Sequence, residues 1–373
     1  MRWDPYVLNE GDSFDAFWKA HLASKDRDVL VIVGRGFDPR ALDAPQRIAN
    51  AGGAGARHGW ILAFDNGSPE TQRSRQLTAA NVAGFEKLFP QKPLESIPIR
   101  VGGAATRTFT SMNAKRAVDR IDDLKNYTDV VVDISAMPRM VGLTVVAQLT
   151  ALFDHHYAGG GDDINLHVVV TESVSTDRNT ARGSLSENVT YVVGFSGQLD
   201  AQSTEYFPRV WLPVLGEGQN ARLELIREEV NPNEICPVVP FPSRDPRRGD
   251  TIVEEYRQAL FEAYEVEPGN IVQASEYNPF EAYRQLYSAI DRYRDALKEL
   301  DGCKVFVSPL SSKLLSVGAL LACYDHVKHP VPGGRLYVGM PYVETAAHGD
   351  PAPPDASDVR EVYSMWIRGE WER

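Results

Sequence analysis

The chain alternates short runs of Val, Ile and Leu with longer segments whose apolar residues recur every three or four positions. Continuous β-branched runs without polar alternation read as strands buried on both faces, and the periodic segments read as the helices that cover them. In the first half the strand runs are 28–33, 60–64, 97–101, 130–134 and 166–170, with helices over 71–89, 114–124 and 140–155 between them. The pattern then restarts. Strand runs at 210–215, 235–241, 271–274, 305–307 and 336–340 alternate with helices over 221–230, 251–264, 281–300 and 314–326. Each series opens with a strand running into Gly-x-Gly, first Gly34-Arg35-Gly36 and then Gly216-Glu217-Gly218. The predicted fold is therefore α/β, with two Rossmann-like, doubly wound parallel-sheet units in tandem, pseudo-duplicated, over 1–204 and 205–373.

Past the last strand run, residues 348–354 are rich in Gly, Pro and Asp and predict a surface connection. The stretch from Val359 to Trp371 holds Tyr363, Met365, Trp366 and Ile367, too many large apolar side chains for a free tail. It is expected to form a strand or helix docked on the body, on a second copy in a homo-oligomer, or on an effector protein.

Composition narrows the function classes. A chain of 373 residues is long enough for two cores, in keeping with the repeated pattern. Lys+Arg 39 against Asp+Glu 51 gives a formal net charge of -12, which excludes a protein held along an extended nucleic-acid duplex by many phosphate contacts. Cys236, Cys303 and Cys323 are odd in number and far apart, so neither a disulfide framework nor a metal knuckle is expected. No apolar run is long enough to span a bilayer and the polar opening is not a signal peptide, so the expected compartment is the cytoplasm, with no membrane partner.

Candidate chemistry lies where strands end, because open α/β sheets bind ligands at strand carboxyl ends beside helix N-termini. The first such place is Gly34-Arg35-Gly36-Phe37-Asp38-Pro39-Arg40. Its glycines allow close approach of a ligand, Arg35 and Arg40 can hold phosphate, and Asp38 with Pro39 suits a helix start. The competing reading is a plain turn in which Asp38 caps and pairs with Arg40. As a dinucleotide fingerprint the segment lacks its third glycine, Pro39 standing there. The second copy, Gly216 to Ala221, fits the spacing better, yet Glu217 would repel a pyrophosphate. Asp65, at the end of the second strand run, is placed to take a ribose hydroxyl.

The fourth strand of each series runs into a strongly apolar helix. In the first half the junction is Asp133-Ile134-Ser135-Ala136-Met137-Pro138-Arg139, with Ser135 the expected cap. In the second it is Ser308-Pro309-Leu310-Ser311-Ser312-Lys313. Each offers hydroxyls, backbone N–H groups and one cation at the same topological point. A cation in a first helical turn opposes the helix dipole, and an anionic ligand would relieve that.

These two junctions resemble the nucleotide-sensing motif of CRISPR-associated Rossmann-fold (CARF) domains, and two such units in one chain resemble the related SAVED domains. The resemblance implies a sensor or accessory protein of bacterial antiviral defence that binds a cyclic oligonucleotide or another small phosphorylated ligand. It departs from that pattern at Ala136-Met137-Pro138, where a Gly-Gly-Thr-Lys-like turn is expected, and no effector domain is evident.

Catalytic constellations are thin. Asp154-His155-His156 sits at a predicted helix end rather than a strand end, and Tyr and Arg interleaved over 277–294 read as an amphipathic helix face. Neither a catalytic residue nor a metal site is assigned, and the only cofactor implied is a nucleotide ligand. The remaining alternatives are a nucleotide- or S-adenosylmethionine-dependent transferase using 34–40 with Asp65, and a scaffold protein without a ligand.

Overall fold

The computed structural model describes residues 1–102, 106–121, 124–160, 164–173, 183–199, 201–347 and 359–372. Its elements run β1 (Leu8–Glu10), α1 (Gly11–Ala23), β2 (Val29–Arg35), α2 (Asp43–Asn50), β3 (Arg57–Asp65), α3 (Gln72–Leu88), β4 (Glu95–Arg100), α4 (Phe109–Val118), β5 (Asp129–Asp133), α5 (Arg139–Ala158) and β6 (Asn165–Glu172). They continue with β7 (Ser184–Ser196), β8 (Arg209–Val214), α6 (Asn220–Val230), β9 (Glu234–Ile235), β10 (Val238–Pro240), α7 (Arg248–Glu255), β11 (Val272–Ala274), α8 (Pro279–Ala296), β12 (Cys303–Pro309), α9 (Lys313–Lys328), β13 (Leu336–Ala347) and β14 (Glu361–Arg368).

Two compact units result. The first comprises 6–104, 109–184 and 345–373, the second 1–5, 105–108 and 185–344. They are not the consecutive stretches 1–204 and 205–373. The C-terminal β14 joins the first sheet and β7 the second, because strand pairing rather than chain order decides where a segment buries its backbone polar groups.

The first sheet has the order β1-β14-β6-β5-β2-β3-β4. Strands β2 to β6 are parallel, whereas β14 is antiparallel to both β6 and β1. Residues Val29 to Val33 are buried throughout, as an unbroken apolar run demands when both faces are covered. One covering layer is α1, whose Phe14, Trp18 and Leu22 are buried with Val31, Val131 and Val169. Another is α5, which buries residues from Met140 to Phe153 nearly all round.

The second sheet runs β11-β10-β8-β12-β13-β7, with β9 beside β8. Its inner strands are parallel too. The apolar run 235–241 breaks into β9 and β10 at Cys236 and Pro237, since proline brings no N–H to a ladder. Likewise the expected helix over 251–264 is α7 followed by a wider π-helical turn at Gln258–Ala263. Helix α9 is buried on all sides from Leu314 to His326. It approaches α8 so closely that a Cβ on Gly318 would lie 2.3 Å from the Pro279 carbonyl oxygen.

Both units share one strand order. Numbering in chain order the parallel strands on the path of each sheet, with the two-residue β9 set aside, each reads 3-2-1-4-5. In each, the order reverses between strands one and four, which are β2 and β5 in the first unit and β8 and β12 in the second. The tandem doubly wound architecture is thus a property of the structure.

At the N-terminal edge of the first sheet lies a buried polar network. Burial opposes ionisation of Asp129, but hydrogen bonds from His167 and His21 outweigh it and hold the carboxyl well below the usual carboxylate range. Burial pushes the His167 imidazole down to about 4, against the pull of Asp129. Among the described residues, no helix is long and apolar enough to cross a membrane.

Candidate functional site

In the first unit the loops after β2 and β5 meet at the reversal of strand order, the position where open α/β sheets leave a crevice. Glycine makes the meeting possible. A Cβ on Gly34 would sit 2.9 Å from Met137 Cγ and 3.0 Å from the Phe64 ring, and one on Gly36 would sit 3.2 Å from the Ala136 carbonyl oxygen. The structure therefore brings together two segments 100 residues apart in the chain, Gly34-Arg35-Gly36-Phe37 and Ser135-Ala136-Met137-Pro138-Arg139. Asn81 of α3 braces the first loop by donating to the carbonyls of Gly36 (2.8 Å) and Asp38 (2.9 Å).

Arg40 does not face this crevice as a free phosphate ligand. Its guanidinium makes a two-pronged pair with Asp38 (2.8–3.2 Å), it is buried, and the Asp38 carboxylate also accepts from the Arg40 backbone N–H. Asp38 caps a 3-10 turn, Pro39–Leu42, with Pro39 at its start. The capped-turn reading holds for Asp38 and Arg40. The exposed cation of the loop is Arg35, which stands 4.0 Å from the Glu70 carboxylate.

Ser135 does not take the N-cap position of α5. Its hydroxyl accepts from the Thr171 N–H (2.8 Å), and Asp133 accepts from the Ser135 N–H (2.8 Å), tying β5 to β6. Pro138 takes the N-cap position and provides no side-chain cap, while Arg139 opens the helix, partly exposed. Thr171 was not among the expected site residues. It is buried, and its hydroxyl has no hydrogen-bond partner among the described residues. Met137 is buried against Gly34 and so supports the loop instead of lining it. Asp65 uses one carboxylate oxygen to accept from the Gly67 N–H (2.8 Å), forming its own turn.

The second unit has the same loop meeting with different chemistry. A Cβ on Gly216 would lie 2.6 Å from the Leu310 carbonyl oxygen, so the loops after β8 and β12 touch as their counterparts do. Here the cradle holds groups of the protein itself. The Gly218 N–H donates to the Glu255 carboxylate (2.6 Å), and the Gln219 N–H donates to the Tyr256 hydroxyl (2.6 Å). That hydroxyl in turn donates to the Gly216 carbonyl (2.7 Å). Gly218 is thus not available as a phosphate donor while Glu255 is in place. Glu276 stands nearby, paired with Arg248 (2.5 Å), and burial raises its pKa despite that cation.

The remaining expected residues divide. Ser308 is fully buried and accepts from the Trp211 indole (2.8 Å). Ser312 caps α9 through the Leu315 N–H, and Lys313 is the first helical residue. The Ser311 hydroxyl is buried without a hydrogen-bond partner among the described residues. The stretch from Val359 to Trp371 packs on the body as a strand, the first of its expected outcomes. Its strand β14 is paired on both sides, by β1 and β6, which closes its backbone to any further strand. The expected surface connection over 348–354 lies outside the described residues.

No family model matches the chain, and no curated protein matches it. Among solved structures, a putative universal stress protein from Pseudomonas aeruginosa UCBPP-PA14 aligns with a TM-score of 0.21 and 9% identity over 87% of this chain and 94% of that one. A universal stress protein from Archaeoglobus fulgidus DSM 4304 gives 0.23 and 8% over 86% and 97%. The UDP-GlcNAc 2-epimerase from Neisseria meningitidis, bound to UDP-GlcNAc, gives 0.21 and 10% over 81% and 92%. Likenesses at this level bear no functional argument, and the fold class stands on the strand order itself.

Proposed function

We propose that this protein binds a nucleotide or another small phosphorylated molecule in the first unit, at the crevice between the carboxyl ends of β2 and β5. One observation carries the reading. Two glycines let the β2 loop press against the β5 loop at the reversal of strand order, beside a 20-residue helix that starts without a side-chain cap. Helix N-termini attract anions through their N–H groups and dipole. Arg139 in the first turn and Arg35 across the loop supply positive charge, and the half-buried Phe37 ring offers a stacking surface for a base. With the resemblance to CARF and SAVED domains, the favoured ligand is a cyclic oligonucleotide, and the role is that of a sensor in bacterial defence. The transferase alternative is less favoured, because Asp65 is engaged in its own turn.

The test is thermal unfolding of the full chain against cyclic and linear nucleotides, NAD and S-adenosylmethionine, repeated with Arg139→Ala. A ligand at about a hundredfold over its Kd adds roughly 2.7 kcal/mol of stability. Arg139→Ala is expected to weaken that ligand by about 1.5–3 kcal/mol, the range for a hydrogen bond to a charged group, and to melt like the wild type without it. Stabilisation untouched by Arg139→Ala would place the site elsewhere, and no stabilisation by any nucleotide would end the reading.

A further inference from the structure

We propose that His21, Asp129 and His167 form a divalent-metal site, suited to zinc, that ties α1 to β5 and β6 at the N-terminal edge of the first sheet. All three side chains are buried, and one ligand atom from each lies within 4.8 Å of the others. The two imidazoles converge on one oxygen. His21 Nε2 is 2.6 Å and His167 Nε2 3.3 Å from Asp129 Oδ1. Donors bound to a common zinc at about 2.0–2.1 Å stand roughly 3.3 Å apart in a tetrahedron, so small side-chain shifts would complete the coordination. Two imidazoles and one carboxylate are a donor set that divalent zinc accepts readily.

The surroundings fit a ligand set better than a plain hydrogen-bond cluster. Asp129 Oδ2 is held by the Thr128 hydroxyl (2.7 Å) and by Arg27 (3.4 Å), which leaves Oδ1 to the imidazoles and fixes the carboxylate as second partners of metal ligands do. If both Nε2 atoms donate to Asp129, His167 Nδ1 is left as a bare lone pair. It is buried and has no hydrogen-bond partner among the described residues. The His167 ring lies 4.8 Å from that of Trp18 and 5.0 Å from that of Trp366. Binding metal through Nε2 moves the imidazole hydrogen to Nδ1, so the lone pair becomes an N–H with no net loss of a proton. The three donors come from a helix and two strands, rigid elements that hold a site in place. One position of a tetrahedral ion remains for a small donor such as water.

The site lies at the opposite strand ends from the proposed ligand crevice, so its role is to clamp the fold. The test uses the full chain stripped with a chelator and then titrated with Co2+ and Zn2+. About one equivalent of Co2+ per chain should bind with visible absorption bands of a four-coordinate N/O site, and Zn2+ should displace it. Zn2+ should also raise the melting midpoint by several degrees. His21→Gln and His167→Gln should lose the bands and the Zn2+ response. Wild-type protein that shows no visible bands and no change in melting with either metal would overturn the proposal, whether or not the variants fold. So would a variant that keeps the full Co2+ spectrum.

Discussion

Single residues decide which strand ends stay open. Gly34 and Gly36 admit the β5 loop where a Cβ on Gly34 would press on Met137 and Phe64 and one on Gly36 would crowd the Ala136 carbonyl. Arg40 is withdrawn by Asp38, while Arg35 lies exposed on the same loop and Arg139 opens α5. In the second unit Glu255 takes the Gly218 N–H that an anion would need. A different residue ties down the opposite edge. Burial works against ionised Glu370, but hydrogen bonds from Arg27 (2.9 Å) and Lys25 (2.6 Å) more than offset it and bring its pKa from 4.5 down to about 2. A carboxyl whose folded pKa is depressed contributes stability above its unfolded pKa and loses it as pH falls. The urea midpoint of the wild type should therefore exceed that of Glu370→Gln at neutral pH, with the gap closing between about pH 5 and pH 2. A gap that stays constant across that window would show the pair to be energetically silent.

At the scale of elements, β14 is the strand on which the first sheet depends. It lies between β1 and β6, with Tyr363 opposite Val170 and Met365 opposite both Val168 and Leu8. Val362, Tyr363, Met365 and Ile367 are buried. Deleting 359–373 should strip β6 of a partner, expose its Val-rich edge and abolish cooperative unfolding of the first unit, followed by circular dichroism in urea. A truncated chain that unfolds like the full one would mean that β14 contributes nothing to the core. The inner parallel strands were legible in the sequence because burial on both faces leaves an unbroken apolar run. Strand β7 was not legible, since polar residues from Ser184 to Asn188 break any such run, and β1 is only three residues long. The place of β14 was also hidden. Its partner β6 lies nearly the whole second unit away in the chain, and pairing at that distance leaves no local mark. The candidate site was half legible. Strand ends and glycines mark the crevice, and the Asp38–Arg40 pair is readable as a local capped turn, but only tertiary packing could assign Ser135 to Thr171 and Glu255 to Gly218. His21, Asp129 and His167 share no motif spacing and meet only once the sheet forms.

For the whole molecule, two units with one strand order carry different chemistry at equivalent strand ends. The first presents Arg35, Arg139 and an uncapped helix start, and the second presents Glu217, Glu255 and Glu276 around its glycine loop. The proposed reading therefore places its nucleotide site in the first unit and none at the second unit's glycine loop. Hydrogen exchange of the full chain, with and without the nucleotide that stabilises it most, tests this directly. Peptides covering 34–42 and 135–145 should gain protection on binding, while those covering 215–221 and 308–316 should exchange unchanged. Protection confined to 215–221 and 308–316 would contradict the account.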